Sequence, residues 1–300
     1  MATVYQHIDA NKRATWAVVA LFVAIVSFLG WFVGEYFFYD GGLVFVGIAL
    51  VVSGISGFIS YYNSDKIVLA ISRAKEVSEK DSPRLHKLVE NMSIASGLPK
   101  PRVYVIEDTA MNAFATGRDP EHGVICFTSG IINGLEKREL EGVVAHEMSH
   151  IGNFDIRLMS IVSVLVGTVT LLADLFTRGM MYGGRRRGGR SSSGGSAGGA
   201  IMILGIAFLI LSPFIASLIK MAVGRKREFL ADSTAALITR YPAGLAKALK
   251  KLAADKEVLE AANGATAHLY ISSPLKSGAF AAMFATHPPI EERIRRLEGM

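Results

Sequence analysis

A single cysteine, Cys126, in a chain of 300 residues excludes an internal disulfide and any cysteine-based zinc site, and leaves a small buried residue as its reading. Charge is scarce as well. Only 19% of the residues are Asp, Glu, Lys or Arg against 51% hydrophobic, and the mean hydropathy is +0.36, which is foreign to an ordinary soluble domain and points to membrane insertion. The net charge of +6 comes from 32 basic and 26 acidic residues, many of the basic ones beside apolar stretches, a placement that suits a lipid bilayer surface. The most basic stretch, 178–199, sets Arg185, Arg186 and Arg187 among Gly-Gly and Ser-Ser-Ser. It lacks aromatic interleaving and accompanies no nucleic-acid module, so no nucleic-acid partner is expected; its composition cannot build a core, and it reads as a disordered loop.

Lys and Arg are also missing from four apolar runs. The first, 14–34, follows Lys12 and Arg13 and has the roughly 20 residues a helix needs to cross the hydrocarbon core. It is too long for the apolar part of a signal peptide, and no small-x-small site is followed by a soluble mature sequence, so it reads as a retained anchor. The second, 41–62, comes after a turn that holds Glu35 and Asp40 but no basic residue, and Lys66, Arg73 and Lys75 follow it. Basic residues outside both far ends place the N-terminus and the segment after Tyr62 in the cytoplasm. A third run spans 158–177 with Asp174 near its end, and a fourth spans 200–219 with Pro213 as a kink. If the chain after the fourth run is to meet the segment before the third, the loop 178–199 is exoplasmic, where its arginines oppose the positive-inside rule. Either the rule yields there or the hairpin enters the membrane without fully crossing. The organisation is thus an N-terminal hairpin over 1–63, a mixed segment over 64–155, a second hairpin over 156–223 and a final segment over 224–300.

Within 64–155, residues 67–77 carry a helical apolar stripe. Ser82-Pro83 opens and Gly97-Leu98-Pro99 closes a further helix. The β-branched and aromatic content of 102–107 and 123–128 reads as strands, with 112–117 a shorter one between them. A small β-sheet is expected just before residues 135–155, where His146, Glu147 and His150 form a His-Glu-x-x-His pattern. On a helix, which Leu140, Val143, Val144 and Met148 support by their spacing, the two imidazoles lie one above the other and can hold one zinc ion. Glu147 then stands where its carboxylate takes a proton from water at the metal. A catalytic zinc site commonly uses three protein ligands. After the fourth run, Glu228 and Asp232 share a helix face, so that one can bind metal while the other accepts a hydrogen bond from a ligand imidazole. Zinc binding alone has no need of Glu147, which favours an enzyme over a metal-dependent scaffold, and no apolar run carries an ion relay that would suit a transporter. His287, before Pro288 and Pro289 at a helix start, is a candidate donor to the oxyanion.

His146-Glu-Met-Ser-His150 with Asp155 five residues on, Glu228-Phe-Leu-Ala-Asp232 after two apolar runs, Asn112-Ala-Phe-Ala upstream and His287-Pro-Pro-Ile-Glu-Glu-Arg293 near the end together resemble the HtpX family, membrane-embedded zinc metalloproteases of the CAAX-prenyl-protease superfamily. The resemblance covers nearly the whole chain in order. It implies an α+β zincin-type protease domain with a small sheet, joined to about four transmembrane helices and predominantly α-helical overall. The implied ligands of one Zn2+ per subunit are His146, His150 and Glu228, with Glu147 as general base and with Asp155 and Asp232 behind the ligands. Asn112, Ala113, Phe114 and Ala115 would form the substrate-facing strand. The implied setting is a bacterial inner membrane with a cytoplasm-facing site, and the implied substrates are misfolded or damaged membrane proteins and unfolded polypeptides. The basic Gly/Ser loop departs from the family's shorter hairpin.

Overall fold

The computed structural model describes residues 4–37, 41–168, 224–262, 264–274 and 288–300. The end of the third apolar run, the loop 178–199, the fourth run and His287 lie outside the described residues. Two long helices, α1 (Val4–Phe37) and α2 (Gly42–Ile71), pack against each other, and both are long and apolar enough to cross a bilayer. Their close approach depends on Gly30, where an added Cβ would stand 2.9 Å from Phe45 O. Outward-facing Leu43, Val51, Ile55 and Phe58 are exposed, as lipid-facing side chains must be. The 30 residues of α2 amount to about 45 Å of helix, more than the hydrocarbon needs, so its last turns stand clear of the apolar layer.

The stripe at 67–77 does not form a helix of its own. Residues 67–71 finish α2, the chain breaks at Arg73 in the left-handed region (φ 53°), and Lys75–Glu76 form a two-residue strand, β1. A short apolar stretch cannot by its period alone separate helix from strand. Next come α3 (Pro83–Ser96), ended by Gly97 at φ 71°, then β2 (Arg102–Ile106), β3 (Ala113–Thr116), β4 (Val124–Thr128) and the short α4 (Ser129–Gly134). The sheet order is β1-β2-β4-β3. Strand β4 runs parallel to β2 and antiparallel to β3, which leaves β3 at an edge.

Every residue of β4 is buried because both faces of the sheet are covered. Val103, Val105, Ala113, Ala115, Ile125 and Phe127 face a core built with α3, α5 (Lys137–Gly152) and α8 (Pro242–Ala254). Ile106, Phe114, Val124 and Cys126 face a second core that includes Val18 and Phe22 of α1 and the apolar side of α6 (Asp155–Thr168). Cys126 is fully buried between them. The sheet therefore joins the body built from α3, α5 and α8 to the two long apolar helices. Helices α5 and α6 meet at 83° across a turn in which Phe154 takes φ 60°. Helix α7 (Arg225–Thr239) lies along α5, and α9 (Ile290–Glu298) closes the far side.

Candidate metal centre

Helix α5 starts where Glu136 N donates to the Glu139 carboxylate at 2.8 Å, which satisfies one of the helix's free amides. From there its buried face runs through Gly142 to His146 and His150. Gly142 is required for that path, since a Cβ there would meet Leu245 N of α8 at 2.7 Å. The two imidazole Nε2 atoms stand 3.2 Å apart, and Glu228 of α7 reaches them at 3.7 Å (His146) and 3.6 Å (His150). Ligand atoms of the three residues all lie within 4.8 Å of one another, and all three residues are buried.

The outer nitrogens are fixed by carboxylates. His150 Nδ1 meets Asp155 Oδ2 at 3.0 Å, and His146 Nδ1 meets Asp232 Oδ1 at 3.0 Å. Each bond turns the opposite ring nitrogen, Nε2, toward the shared centre and makes it the better donor to a cation. Glu228 and Asp232, four apart on α7, thus divide the two tasks open to them.

The charge balance favours a divalent cation. Glu147, Asp155, Glu228 and Asp232 are all buried here, and the two guanidiniums among them are Arg293, on Asp232 and Glu228, and Arg227, on Asp155. Among the described residues, four carboxylates against two guanidiniums leave a surplus of two negative charges, which two neutral imidazoles and a doubly charged ion would cancel. In the ion-free protein the same surplus is met by protons. Burial pushes the Glu147 carboxyl up to about 7, against the pull of His150. Burial alone would lower His150, but its bond to Asp155 and the charge of Glu228 lift it to about 9.

The backbone amide of Ala115 faces the Glu147 carboxylate and favours its charged form, which relates the base to the edge strand. In the antiparallel pairing Thr128 N donates to Asn112 O at 3.0 Å, so the alternation turns the main-chain groups of Ala113 and Ala115 away from β4. Ala113 O accepts from Ile271 N at 2.9 Å. Asn112 stands apart from the metal cluster and uses its side chain within the chain, donating to Ser272 O at 2.9 Å and accepting from Ala113 N at 3.1 Å. Phe114 points the other way, edge-on to the Tyr270 ring at 5.0 Å. His287 lies outside the described residues.

Two contributors were not given a role from sequence. Arg293, 1% exposed, donates to both oxygens of Asp232 at 2.9 and 2.8 Å and to Ile271 O at 3.0 Å. It shares a stripe with Ile290, Ile294 and Leu297, a spacing that marks it as inward-facing among the neighbouring exposed charges of α9. Asn11 of α1 reaches Asp155 at 2.6 Å. It too continues an inward stripe, through Thr15, Val18 and Phe22.

Residues 79–300 match Peptidase family M48. The chain is 42% identical to the protein described as protease HtpX homolog from Dictyoglomus turgidum, covering 99% of this chain and 95% of that one, and 42% identical to its counterpart from Tropheryma whipplei strain Twist, covering 99% and 98%. Its fold is similar to the crystal structure of S. mikatae Ste24p, with a TM-score of 0.50 and 20% identity, over 94% of this chain and 62% of that one. With the histidine pair, the carboxylate facing it and the match running through both, the chain belongs to Peptidase family M48, a family of metallopeptidases, among relatives described as HtpX homologues.

Proposed function

We propose that the protein is a membrane-bound zinc endopeptidase that hydrolyses unfolded or damaged membrane proteins at the cytoplasmic face of a bacterial inner membrane. The observation that carries this reading is the burial of Glu147 beside two imidazoles and a carboxylate that converge within 4.8 Å. In this reading His146, His150 and Glu228 hold the ion, while Asp155, Asp232 and Arg293 orient them. Zinc held there would supply Lewis acidity to water and to the scissile carbonyl. Glu147 accepts the proton of the attacking water on its carboxylate and returns it to the departing amine.

The polypeptide is held as an added strand along β3, taking the outward carbonyl of Ala113 in place of Ile271. Such pairing binds extended chain with little demand on sequence, as a quality-control enzyme requires. Asn112 keeps this edge in place, and Phe114 anchors its back; His287 is assigned the oxyanion. The third and fourth apolar runs complete a second membrane hairpin, so that the zincin-type domain is built from 64–155 and 224–300 around it. Incubating the purified full-length protein with an unfolded membrane polypeptide, with and without a zinc chelator, tests the activity. Cleavage that stops on chelation and returns with zinc is the expected result; cleavage indifferent to chelation contradicts the reading.

A further inference from the structure

Asn11 lies on α1 beside Lys12 and Arg13, at the level where the apolar run begins, yet it is 4% exposed and both ends of its amide are engaged inside the protein. Its Nδ2 donates to Asp155 Oδ1 at 2.6 Å and to Asn153 O at 2.9 Å. Its Oδ1 accepts from Arg227 Nε at 2.9 Å, and Arg227 in turn meets Asp155 Oδ1 at 3.2 Å. Asn153 and Asp155 flank the turn that follows the histidine helix, and the other oxygen of Asp155 bonds His150. Arg227 immediately precedes Glu228. One amide on a membrane helix therefore joins the segment that orients His150 to the segment that presents Glu228.

We propose that Asn11 is a positioning residue for the metal centre, through which the first membrane helix sets the spacing between His150 and Glu228. The inference rests on the zinc reading given above. The chemistry of the position is narrow, because it must donate to a carboxylate and a carbonyl and accept from a guanidinium at once, which an amide does and an aliphatic group cannot. A carboxylate there would keep the acceptor for Arg227 but set like charge against Asp155. The helix cannot turn to present another residue, since Thr15, Val18 and Phe22 hold the same face in the core. Removing the amide leaves Asp155 held on that side by Arg227; a group bonded directly to a ligand commonly governs metal affinity by about 10–100-fold, and Asn11, one hydrogen bond further out, acts at the low end of that range.

The test is zinc affinity, measured on the full-length protein in detergent by competition with a chromogenic chelator. Asn11→Ala should bind zinc about 10-fold more weakly than the parent. Val18→Ala, which loosens the packing of α1 without touching the centre, should bind as the parent does even where its melting temperature falls. Asn11→Asp should lose at least as much affinity as Asn11→Ala. Asn11→Ala with affinity within about twofold of the parent would overturn the inference while leaving the centre intact, as would Val18→Ala weakening zinc equally. A parent that takes up no zinc would overturn the centre and this inference together.

Discussion

Glu147 and His150 hold, in the ion-free protein, the protons whose charge a divalent ion would replace. Both have folded pKa values raised above their ordinary ones, to about 7 and about 9, so each favours the folded state most at low pH. The contribution of Glu147 is complete below its unfolded value and is lost as pH rises through about 7; that of His150 is lost as pH rises through about 9. Ion-free protein should therefore lose stability between neutral and alkaline pH, while zinc-loaded protein changes much less. Thermal melting across pH with and without zinc measures this, and an ion-free melting temperature that climbs steadily with pH would contradict it. Glu147→Gln should keep the zinc and lower turnover about 100- to 10,000-fold, the range a positioned base supplies. Arg293→Ala strands the buried Asp232 and should cost about 3–5 kcal/mol of stability, read from denaturant unfolding. At this scale the sequence was legible where spacing carries chemistry: His146, Glu147 and His150 need only a helix to meet. Arg293 and Asn11 were harder to read, because their stripes ordinarily belong to apolar residues and their partners lie far along the chain.

The edge strand β3 is the element on which substrate recognition turns. Ala115→Pro removes the amide that reaches Glu147, so it should abolish cleavage of every substrate alike while zinc content stays near that of the parent. Asn112→Ala should weaken all cleavages to a similar but smaller degree, since it frees Ser272 from the strand rather than breaking the strand itself. A peptide-like inhibitor found paired to another edge would remove β3 from the account. The helix over 83–96 was readable from its first-turn proline and its terminal glycine, and strands β2 and β4 from their β-branched and aromatic content. What failed was 67–77, where the left-handed turn at Arg73 has no glycine to announce it. The bend between α5 and α6 was equally silent, for Phe154 at positive φ is not a residue that sequence rules mark as a stop.

For the whole molecule, the sheet carries a core on each face, one shared with the helices around the metal centre and one with the apolar helix α1. The apolar runs made the first two helices legible, and α1 and α2 follow those runs closely. Their docking through Asn11 was not, because hydropathy reports that a helix meets lipid but not which side chain it turns toward protein. Basic residues beyond both spans predict that the body faces the cytoplasm. With Cys126 replaced, a cysteine placed by Asp81→Cys should react with a membrane-impermeant reagent only after the cytoplasmic side is opened. The most direct measurement of the central claim is the zinc content of purified full-length protein and of three single variants, His146→Ala, His150→Ala and Glu228→Ala. One zinc per chain in the parent and near-complete loss in each variant is the result predicted; full zinc in Glu228→Ala, with Asp155 or Asp232 bound in its stead, would contradict it.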